Sequence, residues 1–253
     1  MKKLFLLFNC LLLCAIVLAQ PNKNIAGSSK NNAHLRVFYQ SLKSGDLNSS
    51  IVALNYYLSE QGPNTTYADT LAMLYMQQGS FSQSYYWAEL RLKNNPEDKN
   101  LLEIKGYSLD KLQQPKEAIA IFEKLYGETH NPFHAYKLME LQYSIKRLAE
   151  CVATANSAEK LQFKPEFVMT YNVGEQTGRT YLQAGVYNIH ALALYELDQK
   201  AEAKTYFAKA VALDSNFVLA RQNLEAVLAA EKGSGKANTN NSNQNTNPAN
   251  KQN

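Results

Sequence analysis

Small residues recur along this chain at a fixed interval, and that interval constrains the fold more than any other feature. Ser50, Ser84 and Ala118 lie 34 residues apart. Residues four and seven positions after each of them complete one face of a helix. A period of this length is typical of arrays in which each unit is a pair of helices. Small side chains at the crossing point let two helix backbones approach closely, so the sequence predicts an all-α fold of stacked antiparallel helix pairs.

Turn signals lie where the helices of each pair would end. Gly45 and Gly79 follow the first helical segment of their units, and glycine readily adopts the left-handed backbone that ends a helix. Pro96 follows a second segment, where the residue before a proline resists helical geometry. We therefore delimit five units, which begin near Asn31, Thr65, Lys99, Pro132 and Ala184.

The pattern of large, small and aromatic residues resembles the tetratricopeptide repeat family from residue 31 to about residue 217. The matching residues are Leu71, Ala72, Tyr75, Gly79, Phe81 and Pro96 in one unit, Gly106, Leu109, Ala118 and Phe122 in the next, and Tyr187, Ala191, Leu194, Ala203, Phe207 and Ala210 in the last. Three residues depart from the family pattern, namely Phe38, Lys105 and Cys151. The resemblance implies a right-handed superhelix of about five helix-turn-helix units within residues 31–232.

Two segments do not follow the repeat. Residues 166–183 are extra between the fourth and fifth units, and the alternation around Gly174 and Gly178 favours a β-hairpin. The alternative is a disordered loop that extends a helix turn. Residues 218–232 have Leu219, Leu224 and Leu228 at helical spacing, which predicts a capping helix over the last repeat.

The start of the chain has the pattern of a secretory signal peptide. Lys2 and Lys3 precede an apolar stretch that ends in small residues before Gln20. We expect residues 1–19 to be removed and residues 20–30 to form a short linker, which places the protein in the periplasm or outside the cell. An uncleaved membrane anchor is the alternative, and a lipid anchor is disfavoured because large residues precede Cys10 and Cys14. Cleavage would leave Cys151 as the single cysteine, so no internal disulfide is expected.

The opposite end of the chain has a different composition. Residues 233–253 are rich in asparagine and contain no large apolar side chain. Such a segment cannot bury enough surface to offset its loss of conformational entropy on ordering. We predict a disordered tail.

No pattern in the sequence indicates chemistry. None of the four histidines lies in an HExxH motif, and His130 and His134, although four residues apart, flank Pro132 at a helix entry, where a surface pair is expected rather than a ligand pair. We expect His190 to be a packed core residue and Cys151 to act as a small buried apolar residue. The net charge of +4 is spread along the chain, which does not favour nucleic acid. The sequence therefore predicts no catalytic, metal or cofactor site and no small-molecule substrate.

The resemblance also implies a binding surface. In the family the first helices line a concave wall, and the corresponding residues here are Tyr39, Met73, Met76, Tyr107, Lys111, Tyr136, Tyr143, Asn188 and Tyr195. Tyrosine is common on binding surfaces because it joins a broad apolar ring to a polar tip. The alternative is that these tyrosines pack helix on helix.

The expected function is a non-catalytic scaffold that binds a peptide or helix of a cell-envelope protein in this concave groove. The alternative is a structural adaptor that acts through its convex helices and residues 166–183. The sequence does not predict the oligomeric state.

Overall fold

The computed structural model describes residues 32–242, with side chains through residue 232. This part of the chain divides into two compact halves, each of several helix pairs. Residues 32–141 are called the first unit from here on and residues 142–242 the second unit, and the boundary between them falls within one helix. The predicted leader (1–19), the linker (20–30) and the last residues of the tail (243–253) lie outside the described residues.

Helices dominate both units, and the described chain contains eleven of them. The first seven are α1 (Ala33–Ser44), α2 (Leu47–Gln61), α3 (Thr66–Gln78), α4 (Phe81–Leu92), α5 (Lys99–Lys111), α6 (Pro115–Thr129) and α7 (Pro132–Ser144). They are followed by α8 (Leu148–Ala158), β1 (Val168–Val173), β2 (Gln176–Tyr181), α9 (Leu182–Glu196), α10 (Lys200–Leu213) and α11 (Val218–Ser242). None of the helices in residues 32–242 combines the length and hydropathy that a membrane span requires.

The small residues that define the period lie on the second helix of each pair. They are Ser50, Ser84, Ala118, Cys151 and Ala203, and all five are fully buried. Successive members are 34, 34, 33 and 52 residues apart. The last interval is one repeat plus the extra segment. The helical repeat fold and the buried roles expected for Cys151 and His190 are confirmed.

The same intervals recur in the turns that join the first and second helices. Gly45, Gly79, Gln113, Lys146 and Asp198 all adopt left-handed backbone, with φ between 61° and 83°. At each turn the next residue donates its N–H to the carbonyl five residues earlier, at 2.8 to 2.9 Å. This bond closes the helix end in the manner of a Schellman motif. One turn geometry therefore serves all five pairs, although only the first two have glycine.

The extra segment forms the predicted hairpin. β1 and β2 pair antiparallel from Val168↔Tyr181 to Val173↔Gln176 around a two-residue turn. Gly174 begins this turn with φ 60°, as a type II′ turn requires.

The hairpin is anchored within the second unit by polar side chains. The Tyr171 hydroxyl donates to Asn216 O and accepts from Val218 N, both at 3.1 Å. The Thr180 hydroxyl donates to Asp214 Oδ2 at 2.6 Å. These bonds hold the hairpin against the junction between α10 and α11.

Helix α11 covers α10 as predicted, but it packs through a different face. Ala220, Asn223 and Val227 are buried, whereas Leu228 is 38% exposed. Asn223 sets this rotation because it donates an amide hydrogen bond to Asn188 on α9 at 3.1 Å. The helix also extends beyond residue 232 to Ser242, within the segment predicted to be a disordered tail. A helix that is already nucleated by packing gains one hydrogen bond for each further residue it fixes.

Candidate functional site

Five of the predicted wall residues lie on α1, α3 and α5, and we call them the first-unit wall. They are Tyr39, Met73, Met76, Tyr107 and Lys111. All except Tyr107, which is buried, keep partly exposed side chains. Helices α3 and α5 pack directly against each other, as consecutive first helices do in this repeat. The first-unit wall therefore offers side-chain area to a ligand.

A tyrosine pair joins α1 to α3 at one end of this wall. The hydroxyls of Tyr39 and Tyr67 lie 2.9 Å apart. The Tyr67 ring also meets the Tyr57 ring edge to face at 5.0 Å. Burial, together with the hydrogen bond to Tyr39, raises the pKa of Tyr67 well above its ordinary value. The hydrogen-bonded pair links the two helices at this end of the wall.

Met73 and Met76 occupy adjacent turns of α3 and are both partly exposed. The unbranched thioether side chain of methionine adapts to irregular ligand surfaces. Asp69 lies one turn earlier, where its carboxylate accepts hydrogen bonds from Arg91 of α4. The methionine pair is thus an adaptable apolar contact beside a neutralised ion pair.

A buried lysine lies between α5 and α7. Lys137 is only 4% exposed and donates to Asp110 Oδ2 and Glu140 Oε2, each at 2.7 Å. Its ammonium group also lies 5.3 Å from the centre of the Tyr107 ring. Burial opposes the charge, but the two carboxylates outweigh it and hold the pKa of Lys137 above its ordinary value. Lys137 therefore stays charged and ties the two helices together.

The remaining wall residues are less accessible. Tyr136 and Tyr143 are each 1% exposed and Asn188 is 3% exposed, whereas Tyr195 is partly exposed. Tyr143 donates its hydroxyl to Glu196 Oε1 on α9, and Lys146 contacts the same carboxylate at 2.6 Å. Burial, reinforced by Glu196, raises the pKa of Tyr143. Within residues 142–232, the Tyr143 and Asn188 side chains thus make bonds between helices.

His190 and Cys151 are buried in the second unit. His190 Nδ1 lies 2.7 Å from Glu159 Oε1, and the His190 ring lies 4.0 Å from the Tyr206 ring. Its Nε2 atom is buried with no hydrogen-bond partner among the described residues. Burial lowers the pKa of His190 despite the nearby Glu159 carboxylate. Burial also raises the pKa of the Cys151 thiol to about 12, so it is not a ready nucleophile.

Among the residues that the structure describes, no group of three or more His, Cys, Asp or Glu side chains is placed to hold a metal ion. The arrangement on α1, α3 and α5 can instead bind through apolar contact, aromatic rings and a lysine. Such a surface suits a polypeptide ligand.

Comparison with known proteins agrees with this architecture. The tetratricopeptide repeat family matches residues 184–217, which are the fifth helix pair. This helix pair is a tetratricopeptide repeat. The repeat fold is typically a non-catalytic scaffold for protein interaction.

Solved structures of low sequence identity share the fold of this chain. The crystal structure of MamA aligns with a TM-score of 0.61 at 17% identity, covering 75% of this chain and 93% of MamA. YrrB, described as a tetratricopeptide repeat protein with an unusual peptide-binding site, aligns with a TM-score of 0.60 at 14% identity, covering 83% of this chain and 96% of YrrB. MamA from Desulfovibrio magneticus RS-1 gives 0.60 at 14% identity, with coverages of 73% and 94%. No curated protein matches the sequence.

Sequence reasoning did not identify the Lys137 cluster or the bonds that anchor the hairpin. Lys137 and Asp110 are 27 residues apart, and Tyr171 and Val218 are 47 residues apart. The repeat register does place Asp110 and Lys137 on consecutive first helices. A lysine in the middle of α7 among apolar residues was the one signal that could have indicated a buried ion pair.

Proposed function

We propose that the protein is a non-catalytic scaffold that binds a peptide or helix of another protein through the first-unit wall. One observation carries the proposal: Met73 and Met76 stay partly exposed, with Tyr39 and Lys111 on the neighbouring first helices. Adaptable methionines beside aromatic and charged groups suit a ligand with both apolar and polar side chains.

The buried wall residues have a different role in this proposal. Tyr107, Tyr136, Tyr143 and Asn188 hold the first helices in place, each within its own unit. Rigid support of this kind reduces the ordering that binding would otherwise require.

Paired variants test the wall. Met73→Asp with Met76→Asp places two charges on the wall, so partners captured from the envelope fraction of the producing cells should be lost. Tyr86→Asp is the matched control, because Tyr86 lies on α4 and is 58% exposed. It should retain the same partners, and circular dichroism should show equal helicity for both proteins. An unchanged partner set in the wall variant would dismiss the proposal.

We further propose that the protein is exported and that its partner belongs to the cell envelope, since residues 1–20 have the pattern of a signal peptide. Expression of the whole chain in a bacterial host, followed by mass measurement, tests the export. The expected product begins at Gln20 and is found in the periplasmic fraction. A cytoplasmic product that keeps Met1 would contradict it.

The second candidate is an adaptor that assembles through its convex helices and the inserted hairpin. The anchoring bonds of Tyr171 and Thr180 favour it, because they make the hairpin a fixed platform. Deletion of residues 166–183 should then abolish assembly while leaving ligand binding at the first-unit wall intact.

A further inference from the structure

The alternation of the hairpin ladder determines which backbone groups of β2 point away from β1. The Val173↔Gln176 pair flanks the two-residue turn, so it is a hydrogen-bonded pair. At the other end Leu182 N donates to Phe167 O at 2.8 Å, which fixes the same alternation. The non-bonded residues of β2 are therefore Thr177, Arg179 and Tyr181. Their N–H and C=O groups point to the outer edge of the strand.

This outer edge is accessible. Within residues 32–242 the sheet has two strands only, so β2 pairs with β1 alone. The side chains of Thr177 and Arg179 are exposed, and Tyr181 is 43% exposed. Met169, Tyr171 and Thr180 are buried on the opposite face of the hairpin. The hairpin thus packs on one face and presents the other face of β2 to solvent.

The edge is also held in a fixed conformation. A Cβ atom on Gly178 would clash with the ring of Tyr171, so this ring lies directly over the glycine. Tyr171 and Thr180 in turn bond to residues at the start of α11 and the end of α10. An isolated two-stranded hairpin is only marginally stable in water, whereas a hairpin packed on helices is ordered before a ligand arrives.

We propose that the outer edge of β2 binds an extended segment of a partner protein by strand addition. Alternating N–H and C=O groups at Thr177, Arg179 and Tyr181 match the hydrogen-bonding pattern of the backbone of a further strand. The exposed Tyr181 ring supplies a side-chain contact. This inference rests on the second candidate function and gives it a binding mode that is independent of the first-unit wall.

The experiment uses random linear peptides displayed on phage and selected against the whole chain. Selected peptides are synthesised, and amide hydrogen exchange is followed by NMR. In the free protein the amides of Thr177, Arg179 and Tyr181 should exchange faster than those of Gly178 and Thr180. Bound peptide should protect the three outer amides. N-methylation of every second peptide residue should abolish binding in one of the two possible registers and leave it in the other, because strand addition uses every second backbone N–H.

A matched pair of variants isolates the backbone contribution. Arg179→Pro removes one outward N–H, and proline is tolerated on the open side of an edge strand. Arg179→Ala removes the charge but keeps the N–H. The proline variant should bind about tenfold more weakly or worse, whereas the alanine variant stays within about twofold. Equal thermal stability of the two variants shows that the hairpin is intact.

Several outcomes overturn the inference. One is a selection that yields no peptide protecting the three outer amides. Another is peptide binding that the alanine and proline variants weaken equally. A third is slow hydrogen exchange of the three outer amides in the free protein. Met73→Asp with Met76→Asp separates the two surfaces. Loss of peptide binding in that variant, with both Arg179 variants unaffected, supports the first-unit wall and excludes the edge.

Discussion

The two units use the same repeat positions in different ways. On α1, α3 and α5, the wall residues Tyr39, Met73, Met76 and Lys111 keep part of their side-chain surface exposed. In residues 142–232, Tyr143 lies at the repeat position of Met76 and is buried and bonded to Glu196 on α9, whereas Tyr195 at the same position stays partly exposed. The repeat position of Met76 is thus partly exposed on α3 but serves helix attachment at Tyr143. A repeat register alone does not tell these two roles apart.

The difference has a physical origin in what lies beside each helix. Helix α9 receives Asn223 from the capping helix α11, so Asn188 finds a buried amide partner. Helix α3 presents methionines, which cannot form a comparable bond across to α5. A polar side chain bonded between helices stabilises their attachment, whereas a partly exposed apolar side chain remains available to a ligand.

Truncation of wall side chains should give the largest contrast between the units. Tyr143→Ala removes a fully buried ring, so the free energy of unfolding should fall by about 3–5 kcal/mol. Met76→Ala removes a partly exposed side chain and should cost less than about 1 kcal/mol. Urea unfolding followed by circular dichroism measures both. Similar losses would mean that Met76 is packed as tightly as Tyr143 and would remove the contrast.

The buried ion cluster should show that the first unit also contains fixed attachments. Lys137→Met leaves two carboxylates without their cation, so the free energy of unfolding should fall by about 3 kcal/mol. Lys111→Met, at a partly exposed wall position, should change it by less than about 0.5 kcal/mol. Chemical denaturation at pH 7 compares the two. A tolerated Lys137→Met would indicate that the cluster contributes little to holding α5 and α7.

His190 should make the second unit sensitive to acid. Its pKa in the folded protein is below the unfolded value of 6.5, so the unfolded chain binds the proton more readily. The contribution of neutral His190 to the free energy of unfolding is therefore fully present above about pH 6.5. It decreases below this pH by at most about 1.4 kcal/mol per pH unit. Unfolding at pH 7.5 and 5.5 should show a lower free energy of unfolding at the lower pH, and His190→Gln should remove this difference. If the loss persists in His190→Gln but disappears in His34→Gln, the assignment to His190 is wrong.

The left-handed turns should give the smallest effects. Gln113 adopts φ 61° and Asp198 adopts φ 63°, a backbone region that glycine enters without strain. Gln113→Gly should stabilise the protein by about 0.5–1 kcal/mol, and Asp198→Gly by less, because aspartate tolerates this region better. Gly79→Ala should have the opposite sign. The shift of the thermal unfolding midpoint measures each change. A lower midpoint for Gln113→Gly would show that the backbone of Gln113 is not strained.

The sequence allowed the helix pairs and the hairpin to be predicted because both depend on local patterns. Small residues at a fixed interval placed every second helix, and the alternation around Gly174 placed the strands. The turns at Gln113, Lys146 and Asp198 carry no glycine signal, although their spacing follows the repeat. Burial of Tyr136 and Tyr143 could not be predicted, because tyrosine suits both a core and a binding surface. Whether a tyrosine packs in a core or lines a binding surface depends on residues that are far away in sequence.

The Tyr171 hydroxyl has a consequence for the order in which the chain acquires its structure. Neighbouring helix pairs depend on short-range contacts, so each can form soon after its residues leave the ribosome. The hairpin can be anchored only after Asn216 and Val218 have been synthesised, and these residues follow Tyr171 by 45 and 47 residues. The fifth pair, the hairpin and the start of the last helix should therefore mature together as one late cooperative step.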